Sequence, residues 1–208
     1  GEAAKLEDAG LTGTYSAKVN LAAGTYDGVK MSVKTGEEEK EYDFDAFTLS
    51  EAKTVTFYFA PMYGISYHDA DSWSADESKI SYDSKSADSK SIYGAVPTGT
   101  EVKFTIATSE DITKAAMIIK KNSAENTPMQ KDGASTNGIQ KWSVTVSFDE
   151  IGEYQYFFAV YNKASVKFYA DDDGYYGTGK LASLTEVIPY DLVVYKKDYK
   201  TPDWLKNA

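Results

Sequence analysis

The 208-residue sequence has no cysteine, no arginine and a single histidine, His68. Without cysteine, the chain can form neither a disulfide framework nor a thiolate metal site. Without arginine, it lacks the planar group that makes bidentate contacts with phosphates and base edges. Because His68 is its one side chain suited to act as a base at neutral pH, a catalytic triad is difficult to assemble.

The chain also lacks long apolar runs and an excess of positive charge. No apolar run approaches the ~20 residues that a membrane-spanning helix needs. The formal net charge is −10 at pH 7, whereas phosphate backbones and anionic membrane surfaces require a basic face. We therefore expect no nucleic-acid partner and no membrane insertion of this segment. Carboxylates are plentiful enough for a glycosidase pair, but in so acidic a chain most are expected to form a solvated surface.

Aromatic residues, in contrast, are abundant. The chain contains 17 tyrosines within an aromatic content of 14%. Aromatic rings present broad apolar faces on which a ligand can stack. The composition therefore favours a neutral ligand that stacks on rings over a charged one.

Apolar and polar residues alternate through much of the chain, which is the period-2 pattern of half-buried β-strands. The pattern is clearest in the segments "TYSAKVNL", "KTVTFYFA", "EVKFTIAT" and "WSVTVSF". Gly, Asn, Asp and Pro separate the strands, and helical periodicity is almost absent. Short strands at regular intervals predict an all-β fold with two consecutive antiparallel β-sandwich modules of the immunoglobulin-like kind.

A change in composition indicates where the two modules divide. Residues 68–100 are rich in Ser, Asp and Lys and end in the turn-forming stretch "YGAVPTG", as is typical of linkers. We predict a boundary near residue 80, with a small first module over residues 1–80 and a second module over residues 81–208. Residues 81–94 are expected to form a connector that the second module orders.

Several segments carry a family resemblance. The stretches "AVPTGTEVKFTI", "KWSVTVSFDEIGEYQYFFAVYN", "FYADDDGYYGTGKL" and "YDLVVYKKDYKTPDWLKNA" resemble, in this order, the β-sandwich module directly before the catalytic barrel in neopullulanases, amylopullulanases and related α-amylase-family enzymes. The stretches "NLAAGTYDGVKMSV" and "LSEAKTVTFYFAP" are similar to small β-sandwich modules found upstream in pullulanases and bacterial amylases, several of which bind starch. The resemblance covers residues 95–208 and, in part, residues 11–61.

The resemblance implies a non-catalytic region of a secreted bacterial enzyme that binds starch, amylopectin and maltooligosaccharides. In this family the "TPDW" stretch, residues 201–204, leads into the first strand of the catalytic barrel. A barrel needs about 250 further residues, so the partner would be a C-terminal catalytic barrel that this chain lacks. The location would be extracellular, with cell-surface attachment through other parts of the protein. A structural spacer that binds no sugar is the alternative.

A starch site needs exposed aromatic planes together with polar groups for the sugar hydroxyls. Residues 61–76, "PMYGISYHDADSWSAD", concentrate Tyr63, Tyr67, His68 and Trp73 in a polar loop after a strand. We expect these four residues to contact sugar, with Trp73 and Tyr67 as the main planes. The alternative is that the rings pack at the end of a sandwich or between the modules.

A second candidate platform contains Tyr175, Tyr176 and Lys180 in a glycine-flanked loop, which could equally be a plain turn. Just before it stand three consecutive carboxylates that resemble a calcium loop but lack the alternating ligands and distal glutamate of an EF-hand. We therefore expect no metal and no cofactor, with calcium at this run as the alternative. The carboxylate run is Asp171, Asp172 and Asp173.

Trp142 is in phase with core residues, and Trp204 is expected to dock the catalytic domain.

Overall fold

The computed structural model describes residues 7–11, 14–35 and 37–198. The predicted roles of the "TPDW" stretch and of Trp204 lie outside the described residues. Up to residue 70 the strands are β1 (Glu7–Leu11), β2 (Thr14–Leu21), β3 (Gly24–Tyr26), β4 (Lys30–Thr35), β5 (Glu38–Asp43), β6 (Phe47–Leu49), β7 (Lys53–Ala60) and β8 (Ile65–His68).

The later strands are β9 (Val96–Pro97), β10 (Thr100–Ser109), β11 (Lys114–Lys120), β12 (Ala124–Pro128), β13 (Gln130–Lys131), β14 (Ile139–Phe148), β15 (Gly152–Asn162), β16 (Ser165–Asp171), β17 (Gly179–Ala182) and β18 (Tyr190–Tyr195). Three short 3₁₀ helices lie at Pro61–Tyr63, Glu77–Lys79 and Leu184–Glu186. Within the described ranges, the structure contains no helix with the length and apolar character that crossing a bilayer requires.

The first part of the chain packs one antiparallel sheet against two ribbons. The sheet has the order β1-β2-β7-β8, and the ribbons are β3–β6 and β4–β5. As the alternation predicts, Val55, Phe57 and Phe59 of β7 point inward and pack against the ribbons. The Phe59 ring, for example, meets the Tyr42 ring of β5 with centroids 4.5 Å apart. We call this cluster the first core.

The second part is a sandwich of two unequal sheets. The smaller sheet has the order β10-β14-β13, and the larger has the order β12-β11-β15-β16-β17 with β18 paired to β15. Their facing side chains form the second core, which includes Trp142 as predicted. The Trp142 indole N–H donates to the Thr108 hydroxyl at 3.1 Å. The prediction of all-β, antiparallel sandwich modules is confirmed, and among the described strands β9 pairs with β18 in parallel.

The larger sheet is apolar on both faces. Along β15, Tyr156, Phe158 and Val160 belong to the second core, whereas Phe157 and Tyr161 face the first part of the chain. This second face forms a smaller cluster, here called the junction, with Ile65 of β8. Because each fully buried large apolar side chain contributes about 1.5–3 kcal/mol, the junction holds the two parts of the chain together.

Residues 71–80 pack with the second core. Ala70 is the last residue of the first core, whereas Ala75 and Ile80 belong to the second core. The boundary near residue 80 stays a prediction, although packing alone would divide the chain just after Ala70. The following segment, residues 81–94, is ordered against β10, since Ser81 and Ala107 exchange two backbone hydrogen bonds of 3.0 Å.

Candidate functional site

The two tyrosines predicted in the loop of residues 61–76 lie at the junction. Tyr63 meets Phe157 edge-on with ring centroids 5.2 Å apart. The Tyr67 ring stacks on the Tyr58 ring with centroids 4.8 Å apart and meets the Phe168 ring edge-on with centroids 6.2 Å apart. Burial raises the pKa of Tyr67 to about 12. The structure therefore places both rings as packing groups between the modules, which is the alternative that the sequence left open.

His68 is buried in the first core and is 2% exposed. Its Nδ1 accepts a hydrogen bond from the Ala70 N–H at 3.3 Å, so Nε2 carries the proton and donates to the Asp45 carbonyl at 2.9 Å. The ring also packs on Phe47, with centroids 4.4 Å apart. The sequence predicts that His68 is among the sugar-contacting residues, but neither ring nitrogen is free for a sugar hydroxyl.

Trp73 is half-buried and packs against the second core. The Lys167 ammonium lies 5.1 Å from the centroid of its ring and pairs with Glu77. The next residue, Ser74, donates through its N–H and its hydroxyl to the Asn162 side chain at 3.0 and 2.9 Å. These anchors favour a packing role, and a sugar platform at Trp73 stays a prediction.

The three residues of the second candidate platform do not all lie at one site. Tyr175 and Tyr176 are both exposed at the tip of the loop before β17, and Lys180 is exposed on β17. Tyr176 lines a surface cleft, but Tyr175 and Lys180 do not.

The carboxylate run before Tyr176 has a clear role in shaping its loop. Buried Asp171 accepts hydrogen bonds from the backbone N–H groups of Asp173, Gly174 and Tyr176, at 3.1, 3.0 and 3.3 Å. Ligand oxygens of Asp171, Asp172 and Asp173 lie within 4.8 Å of one another. Because the positive ends of three N–H dipoles already point at Asp171, this carboxylate is poorly placed for a cation. The contacts favour the plain turn over the calcium alternative.

The cleft beside Tyr176 has a volume of about 230 Å³. It lies where residues 84–95, the loop before β17 and strand β18 meet. Its lining combines tyrosine rings with polar groups, namely Tyr93, Tyr156, Tyr176, Ser84, Lys90 and Asp191. Aromatic planes next to hydrogen-bonding groups are the combination that a polyhydroxylated ligand requires.

One wall of the cleft is a turn that Lys90 holds in place. The Lys90 ammonium donates to the Gly94 carbonyl at 2.9 Å, and Gly94 has φ +71°, a conformation that glycine adopts without strain. Tyr93, between them, is 72% exposed. This contact leaves the Lys90 ammonium two further N–H donors, and no ion pair of Lys90 is formed within the described ranges.

The electrostatic state of Lys90 follows from its position. Lys90 is 4% exposed, and burial lowers the pKa of its ammonium to about 8. At neutral pH it is therefore still mostly charged. A buried cation without a counter-ion destabilises the fold, and groups of this kind cluster at binding and catalytic sites.

The opposite wall is the Tyr176 loop, whose backbone is strained. Tyr176 has φ +62°, a left-handed conformation that costs a non-glycine residue about 1 kcal/mol or more. Two reciprocal hydrogen bonds fix the loop, from the Gly177 N–H to the Ser84 hydroxyl at 2.7 Å and from the Ser84 N–H to the Gly177 carbonyl at 2.8 Å. The ring of Tyr176, which is 49% exposed, is thus positioned before any ligand binds.

The floor of the cleft is a rigid cluster of tyrosines. Tyr156 lines the cleft, shares a hydroxyl hydrogen bond of 2.9 Å with Tyr82 and stacks on Tyr190 with centroids 5.3 Å apart. Burial raises the pKa of all three phenols, so the floor is uncharged at neutral pH. Gly179 is required beside it, because a Cβ there would collide with the Tyr190 hydroxyl.

Of the residues that line the cleft, sequence reasoning found Tyr176 and missed the others, among them Tyr93, Lys90 and Asp191. Tyr93 carries a usable signal, since it stands beside Gly94 in a polar segment and belongs to no alternating run. Lys90 and Asp191 carry none, because lysines and aspartates of this kind occur throughout the chain. Only the packing of distant segments brings them together.

No protein-family model matches the chain. It is 34% identical over 125 residues to an amylopullulanase of Thermoanaerobacter thermohydrosulfuricus, covering 57% of this chain and 8% of the relative. An amylopullulanase of Thermoanaerobacterium saccharolyticum is 26% identical over 170 residues, covering 76% of this chain and 13% of the relative. Among solved structures, a cyclomaltodextrinase aligns with a TM-score of 0.42 and 17% identity, covering 62% of this chain and 22% of that one.

The chain therefore spans a small part of the length of the curated relatives it matches. The longer of these two alignments extends over three quarters of this chain, well beyond any single motif. This chain is homologous to a segment of bacterial amylopullulanases.

Proposed function

We propose that this chain is a non-catalytic, carbohydrate-binding region of an amylolytic enzyme and that it binds α-1,4-glucans: starch, amylopectin and maltooligosaccharides. One observation carries the proposal, namely that the cleft combines the exposed rings of Tyr93 and Tyr176 with the polar groups of Lys90 and Asp191. Homology with amylopullulanases supports the ligand class.

The chemistry of the cleft suits a glucose unit. The apolar C–H faces of the sugar would stack on Tyr93 or Tyr176, where each buried Å² of apolar surface contributes about 25 cal/mol. The Lys90 ammonium donates to hydroxyl oxygens, whereas the Asp191 carboxylate accepts from hydroxyl hydrogens. Hydrogen bonds to charged groups contribute roughly 1.5–3 kcal/mol each.

In the full-length protein, this region would hold glucan close to a C-terminal catalytic barrel. Linking a binding site to an active site raises the effective substrate concentration without any new contact at the active site. The size of starch requires such an enzyme to act outside the cell, so the proposal includes secretion and an extracellular location.

The cleft is not expected to hydrolyse glycosidic bonds. Glycosidases generally place two carboxyl groups about 5–5.5 Å apart or about 6.5–9.5 Å apart across the scissile bond. Among the described residues that line the cleft, Asp191 is the one carboxylate. A pure sample of the chain should therefore release no reducing sugar from soluble starch, and sustained release would contradict this assignment.

The proposal can be tested by isothermal titration with maltoheptaose and by electrophoresis in gels containing amylopectin. The wild-type chain should bind the sugar and be retarded in the gel. Tyr93→Ala and Tyr176→Ala should each weaken binding by roughly 1–3 kcal/mol. Tyr15→Ala is the matched control, because Tyr15 is an exposed tyrosine on β2, outside the cleft.

A structural spacer is the second candidate function. The junction favours it, because the first part of the chain covers an apolar face of the larger sheet and thereby holds the two modules in a fixed arrangement. A wild-type chain that migrates through amylopectin like a non-binding protein would support the spacer and contradict sugar binding.

A further inference from the structure

Beyond the cleft, strand β18 presents a row of side chains to solvent. Burial alternates along Tyr190–Tyr195, so Asp191, Val193 and Tyr195 point outward. Val193 lines the cleft, and Tyr195, two residues further along, is 45% exposed. At about 3.3 Å per residue, the row from Asp191 to Tyr195 is roughly 13 Å long.

The neighbouring strands widen this row. Pro97 of β9 lies beside Tyr195 in the parallel pair, and Glu153 of β15 lies opposite Val193 in the antiparallel pair. Exposed Ile151 precedes β15 at the same end. The surface thus alternates apolar side chains with hydrogen-bonding groups and is continuous with the cleft. We call it the β18 track.

Resting on the proposed function, we propose that an α-glucan chain held in the cleft continues along the β18 track, so that the region selects long oligosaccharides over maltose. At about 230 Å³, the cleft is smaller than the roughly 300–1,000 Å³ of pockets for drug-sized ligands. It can hold only a short part of a polymer, and the next sugar units must lie on the adjoining surface.

The composition of the track favours sugar over a protein partner. The centres of protein–protein interfaces are depleted of charged residues, whereas Asp191 and Glu153 stand beside Val193 and Tyr195. A glucan chain has apolar ring faces and hydroxyl edges, so it can contact both kinds of group at once. Continuity with the cleft further indicates that one ligand occupies both surfaces.

The test compares the affinities of the whole chain for maltose and maltoheptaose by isothermal titration. Wild type should bind maltoheptaose about tenfold more tightly or better, since one added stacking contact of this size corresponds to about 1.4 kcal/mol. Tyr195→Ala should lower the affinity for maltoheptaose about five- to tenfold and leave maltose unaffected. Tyr195→Phe retains the ring and should behave like wild type, whereas Tyr93→Ala should weaken both sugars.

The outcomes separate the track from the cleft. The proposal of the β18 track is wrong, but sugar binding stands, if wild type binds both sugars equally. The same conclusion follows if Tyr195→Ala lowers the affinity for neither sugar or for both. If wild type binds neither sugar, the proposed function fails and the track fails with it. Concentration-dependent self-association in sedimentation, abolished by Tyr195→Ala, would assign the surface to protein contacts instead. Thermal unfolding should be the same for Tyr195→Ala and wild type, because this side chain is largely exposed.

Discussion

Two aromatic-rich regions of this chain look alike in sequence and differ in structure. Residues 61–76 and the segments around Tyr93 and Tyr176 all place rings among Ser, Asp and Gly. In the first region Tyr63 and Tyr67 pack at the junction, whereas Tyr93 and Tyr176 remain exposed at the cleft. A polar neighbourhood in sequence therefore does not make an aromatic ring available to a ligand.

What decides the difference is the second face of the larger sheet. Phe157, Ala159 and Tyr161 present an apolar surface there, and leaving such a surface in water would cost about 25 cal/mol per Å². Tyr63 and Tyr67 help to cover it. Tyr93 and Tyr176 lie where the larger sheet meets polar loops, so no apolar face demands their burial.

The largest effect on stability is expected from Trp73→Ala. Because Trp73 packs against the second core, its truncation should lower the free energy of unfolding by about 2–3 kcal/mol, somewhat less than the 3–5 kcal/mol typical of fully buried rings. The affinity for maltoheptaose should not change. Urea unfolding and titration of the same samples test both points, with Trp73→Phe as the milder control. An intact stability with lost affinity would restore Trp73 as the platform.

Lys90→Met should change sugar binding and stability in opposite directions. Removing a buried cation that lacks a counter-ion should raise the free energy of unfolding at pH 7 by roughly 1–2 kcal/mol. The same change should weaken sugar binding, because the ammonium donors are lost. A stabilised variant with full affinity would show that Lys90 only pins its turn.

The pH dependence of Lys90 follows from its lowered pKa. Its pKa is about 8 in the folded chain and 10.5 as the ordinary value, so the unfolded chain binds more protons between these limits. The free energy of unfolding of the wild-type chain therefore rises with pH between these two pKa values. The excess stability of Lys90→Met over wild type should shrink over the same range. Wild-type sugar affinity should fall between pH 7 and pH 9 as the charge is lost. A pH-independent affinity would contradict a role for the ammonium in binding.

Tyr176→Asn should have a smaller effect on stability. Asn tolerates the left-handed backbone of this position better than Tyr, so the free energy of unfolding should stay level or rise by about 0.5–1 kcal/mol. Binding of maltoheptaose should weaken, because the ring is gone. Tyr175→Asn is the matched control, since the Tyr175 side chain is exposed but does not line the cleft. Equal losses of affinity in the two variants would contradict the distinction between them.

Much of the fold could be predicted because half-buried strands show their burial as alternation, as Val55, Phe57 and Phe59 do in β7. The run from Tyr156 to Tyr161 is apolar at every position, because both faces of the larger sheet are covered. A continuous run of this kind indicates a strand buried on both sides, and so the junction was foreseeable.

The site was less predictable because contacts between distant segments build it. Tyr176 could be found from its glycine-flanked loop. The sequence could not show that Tyr93 and Lys90 lie near Tyr176. The two walls of the cleft are connected by the hydrogen bonds between Ser84 and Gly177, which are 93 residues apart. The sequence around His68 is typical of a polar loop, but the alternation of side chains along β8 directs His68 into the first core.

The smallest effect is expected from removing divalent cations, and it tests the Asp171 loop. The carboxylate of Asp171 is satisfied by backbone N–H groups, so the loop that carries Tyr176 should hold its shape without a metal. EDTA should therefore change neither the affinity for maltoheptaose nor the melting temperature, and added calcium should leave both unaltered. Asp171→Asn should weaken binding to the same extent with and without calcium, because the amide loses acceptor capacity for the N–H groups. Loss of affinity in EDTA that calcium restores would show that Asp171, Asp172 and Asp173 hold a metal that shapes the cleft.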